Sequence, residues 1–246
     1  MATFKVTLEY DGTAYAGWQR QPNQPTIQET VETAVRSVTQ TEVPVIAAGR
    51  TDVGVHALGQ VASFRTDKAL APEEWLRALN ATLPPDISVR SVELVPDTFH
   101  ARYSAAGKRY EYRILNRPDR PALERTRAWH LYGKLDLDAM RAATGHLVGK
   151  QDFSSFQGHP TDVENQICDL RRLEIIRDQE LVRIEFEADR FLKQMVRAIV
   201  GTLVEVGQGK RKPDDVKTIL EAKDRRAAGY TAPAHGLYLV EVRYGD

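Results

Sequence analysis

The order in which strand-type and helix-type hydrophobic patterns follow one another is the feature that most constrains the fold of this chain. Residues 4–10 alternate apolar and polar side chains, as in a half-buried strand. Thr26-Ile27-Gln28-Glu29 is a capping box, which predicts that a helix begins there. Its apolar face is expected to contain Ile27, Val31, Ala34, Val35 and Val38. Strands are predicted over 43–48, 59–64 and 87–95, and a helix from Pro72 with Trp75, Leu76, Leu79 and Leu83 facing inward. The first half therefore has the order β-α-β-β-α-β.

The second half contains the same kinds of element. Strands are predicted over 108–115, 169–176, 181–187 and 237–242, and helices over 137–148, 190–206 and 213–222. Because strands occur in neighbouring pairs with helices between them, the sequence predicts an α+β fold with mostly antiparallel sheets flanked by helices. We expect two similar half-domains, residues 1–104 and 105–246, with an active-site cleft between them.

Cysteine and histidine usage argues against disulfides and metal. The single cysteine, Cys168, excludes an intramolecular disulfide and suggests a reducing compartment. The chain has no C-x-x-C pair and its six histidines are scattered, so we expect no metal site. The N-terminus lacks the apolar core of a signal peptide, and no apolar run approaches the ~18 residues of a membrane span. A cytoplasmic protein that does not enter a membrane is expected.

Charge is balanced overall but uneven along the chain. The 34 basic and 34 acidic residues give a net charge of zero, which by itself disfavours nucleic-acid binding. Residues 101–130, however, contain eight basic and only three acidic residues, and Lys210-Arg211-Lys212 is a second basic cluster. One basic face is enough to bind phosphates locally. A merely solvated surface is the alternative interpretation.

The segment Ala48-Gly49-Arg50-Thr51-Asp52-Val53-Gly54-Val55-His56-Ala57 is the main candidate for chemistry. It lies between two strand-type runs and offers one carboxylate, Asp52, between glycines that let the backbone approach a ligand. A carboxylate at a ribose C1′ carbon can act as a nucleophile or assist departure of the base. Alternatively, an aspartate in such a turn only caps its own backbone.

Two further side chains are candidates for the same site. Arg197 lies on the polar side of the predicted helix 190–206 and could pair with Asp52, or could simply extend over its own helix. Tyr110 shares a strand face with Tyr112 and could stack on a base, or could belong to an aromatic core pair. The loop 17–22 combines an aromatic residue and a cation and suits an extended ligand. Gly207-Gln208-Gly209-Lys210 lacks the spacing of a phosphate loop.

Taken together, these segments resemble the tRNA pseudouridine synthase family called TruA. The matching segments occur in family order from residue 10 to residue 239. They are Tyr10-Asp11-Gly12-Thr13, Gly17-Trp18-Gln19-Arg20-Gln21, Gly49-Arg50-Thr51-Asp52-Val53-Gly54-Val55-His56-Ala57, Phe99-His100-Ala101-Arg102, Lys108-Arg109-Tyr110-Glu111-Tyr112, Asp152-Phe153-Ser154-Ser155-Phe156, the segment from Phe191 to Gly201, and the segment from Ala232 to Leu239.

The resemblance implies conversion of uridine to pseudouridine at positions 38, 39 and 40 of the tRNA anticodon stem-loop, by a homodimer without metal or organic cofactor. It implies that Asp52 is the catalytic aspartate, that Tyr110 stacks on the target uracil and can help remove the C5 proton, and that Arg197 forms a salt bridge with Asp52. Arg50 is expected to fill the space of the flipped nucleotide. Further RNA contacts are expected from Trp18, Gln19, Arg20, His56, Lys108 and Arg109.

Three other functions remain open from the residues alone. A base-excising hydrolase would use Asp52 on C1′ and release free uracil. A non-catalytic RNA-binding module would tolerate loss of Asp52. A structural protein would use its basic face for protein contacts and would not bind tRNA.

Overall fold

The computed structural model describes residues 1–160 and 163–245, which form two compact units. Unit 1 comprises Met1–Ala106 together with the chain from Tyr238 onward, and unit 2 comprises Gly107–Leu237. Helices and mostly antiparallel strands make up both units, so the predicted fold class is confirmed. Within the described ranges, no helix has both the length and the apolar character required to cross a membrane.

The elements follow one another in an irregular alternation of strands and helices. The strands are β1 (Ala2–Tyr10), β2 (Ile46–Ala47), β3 (His56–Thr66), β4 (Ile87–Val95), β5 (Ala105–Asn116), β6 (Trp129–Leu131), β7 (Gly149–Asp152), β8 (Ile167–Asp178), β9 (Leu181–Ala188) and β10 (Leu237–Tyr244). The α-helices are α1 (Ile27–Thr39), α2 (Pro72–Thr82), α3 (Leu137–Thr144), α4 (Met195–Gly207) and α5 (Asp215–Ala222). Short 3-10 turns cover Gly12–Ala14, Ser154–Phe156 and Ala234–Gly236.

The sheet of unit 1 has the strand order β4-β1-β3-β10. β1 is antiparallel to β3 and β4, β2 is antiparallel to β3, and β10 runs parallel to β3. The alternation in β1 buries every second residue against the helices, where Phe4, Phe64 and Trp75 pack with ring centroids 5.1–5.5 Å apart. β2 is shorter than its predicted strand, whereas β3 begins earlier, because His56 pairs with Tyr238 of the distant β10.

Both helices of unit 1 begin where the sequence predicts. The Oγ1 atom of Thr26 accepts a hydrogen bond from the Glu29 backbone N–H at 3.4 Å, which caps α1. α2 begins with Pro72 at its first turn, and the Glu74 carboxylate accepts the Ala71 N–H at 2.7 Å. The apolar faces of both helices are buried in unit 1, although Val38, Leu76 and Leu83 remain partly exposed.

The sheet of unit 2 has the strand order β5-β9-β8-β7, with β6 parallel to β5. α4 is apolar on nearly all sides and almost completely buried. The prediction that this helix starts at residue 190 is wrong. Gln194 has a φ of 58° in the left-handed region, which stops the helix from extending back beyond Met195. Lys193 therefore lies outside the helix, and its Nζ donates to the Pro160 carbonyl at 3.1 Å.

The helix predicted over 137–148 also ends early, at Thr144. His146 and Leu147 donate their backbone N–H groups to the carbonyls three residues earlier, at 3.3 and 3.0 Å, so the helical pattern tightens into turns. Gly149 then adopts a φ of 109° and starts β7. β6 and β7 are short strands that the hydrophobic pattern did not predict.

Candidate active site

The loop between β2 and β3 presents Asp52 at the surface of unit 1. Asp52 is half-buried, while the neighbouring Arg50 and Val53 are exposed. The Val55 N–H donates to the Asp52 carbonyl at 3.1 Å, which closes a tight turn. Gly54 takes a φ of 76° inside this turn, a conformation that L side chains rarely adopt. The main chain around Asp52 is therefore folded back on itself rather than extended.

Buried groups of unit 1 hold this loop at Gly49 and Thr51, on the N-terminal side of Asp52. The Gln60 amide Nε2 donates to the Gly49 carbonyl at 2.8 Å. The Tyr10 Oη lies 2.8 Å from the Thr51 Oγ1, and the Trp18 N–H donates to the Thr51 carbonyl at 3.0 Å. Burial raises the pKa of Tyr10 to about 12, although its hydrogen bonds to Thr51 and Gln60 oppose the rise. Tyr10 is therefore protonated at neutral pH and can donate a hydrogen bond.

Two glycines allow the neighbouring loop to approach the Asp52 loop. A Cβ atom on Gly12 would lie 2.1 Å from the Val55 carbonyl oxygen. Gly17 has a φ of +90°, and a Cβ there would lie 2.7 Å from the Thr51 carbonyl oxygen. Gly12 and Gly17 thus allow the backbone of their own segment to pack directly against the backbone of the Asp52 loop.

Apart from Arg50, the predicted RNA contacts from unit 1 fall into a buried pair and an exposed pair. Trp18 is only 3% exposed and its ring packs 6.3 Å from that of Tyr10. His56 is 2% exposed, its Nδ1 accepts the Gly12 N–H at 3.1 Å, and its ring stacks on Tyr238 at 4.8 Å. Gln19 and Arg20, in contrast, are exposed. In these positions Trp18 and His56 support the loop from inside.

Arg197 lies in the third position of α4 and is bound to the segment that precedes β10. Its Nε donates to the Ala232 carbonyl at 2.7 Å, and the Ala232 N–H donates to the Arg197 carbonyl at 3.0 Å. Burial raises the pKa of Tyr112, while the positive charge of Arg197 acts in the opposite direction. Arg197 is therefore a half-buried cation of unit 2 whose charge acts on Tyr112 of β5.

Tyr110 lies on β5 of unit 2, where it is 8% exposed. Its ring meets Phe191 edge to face, with centroids 5.0 Å apart, and its register partner on β9 is Phe186. Lys108 and Arg109 on the same strand are partly exposed. Tyr112, two residues on, is fully buried, and its Oη donates to the Pro233 carbonyl at 2.7 Å. The strand thus supplies an aromatic side chain next to two cations.

Three residues that hold the Asp52 loop were not selected from the sequence for that role. Tyr10 and Thr51 belong to the motifs quoted above, and Gln60 is a polar residue in a predicted strand. A glutamine in a predicted strand of mostly small and apolar residues is a usable signal, but its partners lie far away in sequence. As for metals, the part of the chain that the structure describes contains no group of three or more His, Cys, Asp or Glu placed to hold an ion.

Comparison with known proteins assigns the chain to a family. The profile described as tRNA pseudouridine synthase matches residues 7–104 and 143–245. The tRNA pseudouridine synthase A of Acetivibrio thermocellus is 45% identical over 244 residues, covering 99% of this chain and 100% of the relative. That of Caulobacter vibrioides is 45% identical over 247 residues, covering 100% of both chains. The chain therefore belongs to the tRNA pseudouridine synthase family, as its motifs predict, and is an enzyme of the isomerase class.

Proposed function

We propose that this enzyme converts uridine to pseudouridine at positions 38, 39 and 40 of the tRNA anticodon stem-loop, with Asp52 acting at the ribose C1′ atom. The observation that carries the proposal is that the loop containing Asp52 is fixed by hydrogen bonds. Bonds made by Gly49, Thr51 and Val55 hold the backbone around a partly exposed carboxylate. A reacting group held in one geometry lowers the entropic cost of the chemical step. The family membership supports a tRNA substrate, and the motif resemblance implies the positions.

The chemistry requires one carboxylate and a rotated base. The C1′–N1 bond breaks, the uracil turns, and a C1′–C5 bond forms, while C5 loses its proton and N1 gains one. Asp52 can drive the first step by adding to C1′, or by removing a C2′ proton to give a glycal. A target inside a stem must first leave the base stack, which costs a few kcal/mol. Contacts to the RNA backbone offset that cost.

The remaining candidates have supporting roles in this proposal. The motif resemblance implies that Arg197 is the salt-bridge partner of the Asp52 carboxylate. Tyr110 stacks on the target uracil, and Arg50 occupies the space that the flipped nucleotide leaves. The side chains that contact the RNA backbone are Gln19, Arg20, Lys108 and Arg109. Trp18 and His56 act through the loop they support. We further propose, from the family resemblance, a cytoplasmic homodimer that uses no metal or organic cofactor.

Tritium release from tRNA labelled at uridine C5 tests the central claim. The wild-type enzyme should release tritium, and Asp52→Asn, which keeps the shape of the side chain and removes its charge, should reduce release below detection. Asp67→Asn is the matched control, because Asp67 is an exposed aspartate of unit 1 that pairs with the N-terminal amine and not with the Asp52 loop. Full release by Asp52→Asn contradicts the proposal.

The products separate the alternatives. Pseudouridine located at positions 38, 39 and 40 by digestion and mass spectrometry supports the proposal. Free uracil with an abasic site indicates a base-excising hydrolase. Binding of tRNA with neither product indicates an RNA-binding module, and absence of binding indicates a structural protein.

A further inference from the structure

A small cluster of buried polar side chains lies directly beneath the Asp52 loop. Gln60 is completely buried, Tyr10 is 3% exposed and Thr51 is 6% exposed. Besides its bond to the Gly49 carbonyl, the Gln60 Nε2 lies 3.3 Å from the Tyr10 Oη. The Tyr10 Oη in turn lies 2.8 Å from the Thr51 Oγ1. Buried polar groups are costly unless they are paired, so such a cluster needs a structural or functional reason.

The direction of the two hydrogen bonds that Gln60 makes in this cluster follows from the donors available. A backbone carbonyl can only accept, so the Gln60 atom beside Gly49 must be the amide NH₂. The second hydrogen of that NH₂ goes to the Tyr10 oxygen, which accepts it. The Tyr10 and Thr51 hydroxyls are hydrogen-bonded to each other, and either can be the donor. The bonds therefore link Gln60 through Tyr10 to Thr51, the residue adjacent to Asp52.

We propose that Gln60, Tyr10 and Thr51 are positioning residues, which set the turnover rate by fixing the orientation of Asp52. This inference rests on the proposed function of Asp52. The cluster is hydrogen-bonded to the loop at Gly49 and at Thr51, so it restricts the backbone on the N-terminal side of the Asp52 carboxylate. These side chains are too buried to bind RNA, so their effect appears in kcat and leaves KM unchanged.

The first test compares two Tyr→Phe variants in unit 1. Tyr10→Phe removes the hydroxyl that links Gln60 to Thr51, and we expect kcat to fall by ~10-fold or more with KM unchanged, since small misplacements of a catalytic group are costly. Tyr15→Phe is the matched control, because the Tyr15 hydroxyl is also hydrogen-bonded, to the Asp86 carboxylate at 2.7 Å, and not to this cluster. A purely structural role predicts that both variants lower Tm and neither lowers kcat, and that result overturns the proposal.

A double-mutant cycle tests whether the residues act through their shared bond. Thr51→Val should lower kcat as Tyr10→Phe does, and the double variant should be no slower than the slower single variant. Independent, multiplying losses of kcat overturn the proposal. Thr51→Ser keeps the acceptor and should retain the wild-type kcat. If Tyr10→Phe does not fold, the comparison of Thr51→Val with Thr51→Ser decides alone, and equal kcat values overturn the proposal.

The Asp52 variant distinguishes failure of this inference from failure of the proposed function. If Asp52→Asn is inactive and Tyr10→Phe turns over like the wild type, Asp52 is catalytic and the positioning role is wrong. If Asp52→Asn retains full activity, the proposed function of Asp52 is itself wrong, and the inference falls with it.

Discussion

At the scale of single residues, the contact between Gly17 and Thr51 shows how little space separates the two loops around Asp52. Any side chain at position 17 would strain a φ of +90° and place a Cβ 2.7 Å from the Thr51 carbonyl oxygen. The loop would have to shift, because the oxygen belongs to the backbone. We expect Gly17→Ala to lower both Tm and kcat. Thermal unfolding and tritium release measure the two effects.

Gly133→Ala separates backbone strain from the contact with the loop. Gly133 also has a positive φ, +128°, but a Cβ there would meet nothing within 4 Å. This control should share the loss of Tm and keep the wild-type kcat. An equal loss of kcat in both variants would contradict the idea that Gly17 acts through the Asp52 loop.

At the scale of elements, α4 packs closely against residues 230–232, in the segment that precedes β10. A Cβ on Gly201 would lie 1.8 Å from the Tyr230 carbonyl oxygen, and Arg197 of the same helix binds Ala232 through both main chain and side chain. Gly201→Ala should therefore force the segment away from α4 and destabilise the enzyme by about 1–3 kcal/mol or more.

Urea unfolding measures the effect of Gly201→Ala. Gly145→Ala is a suitable control, because a Cβ at this helix end would make only an ordinary contact, at 3.6 Å from the Ala142 carbonyl oxygen. Equal free energies of unfolding for the two variants would show that the segment can shift without loss of stability, which would contradict this prediction.

At the scale of the whole molecule, a neutral protein is expected to bind a polyanion through its uneven charge distribution. All eight basic side chains in residues 101–130 are at least partly exposed. We therefore expect tRNA affinity to fall steeply and linearly on a plot of log K against log salt. Filter binding over a range of salt concentrations measures the slope, and an affinity independent of salt would contradict a phosphate-dominated interface.

Two exposed arginines test this expectation directly. Replacement of Arg120 and Arg125 by alanine should weaken binding of every tRNA and reduce the slope by about one for each phosphate that is no longer neutralised. Arg226→Ala is the control, because this arginine is 90% exposed but already paired with Asp224 at 2.7 Å. A control variant that loses as much affinity as the double variant would argue against a specific basic region.

The sequence by itself determined the identity and approximate extent of most elements. Period-two alternation defined β1, and the capping residue Thr26 defined the start of α1, because both signals arise between residues close together in the chain. The motifs in family order likewise predicted the family, which the comparisons confirm. The predicted start of α4 was wrong because the apolar pattern already includes Phe191 and Leu192, whereas the left-handed conformation of Gln194 prevents the helix from including them.

Tertiary structure alone decided how the Asp52 loop is held. Gln60, Tyr10 and Trp18 reach Gly49 and Thr51 across 11 to 41 residues of sequence, and the parallel pairing of β10 with β3 joins residues even farther apart. Local pattern contains no information about such partners, because they meet only when the strands have taken their places in the sheet. The sequence determined which groups are available for chemistry, and the packing of distant backbone and buried polar groups determined their geometry.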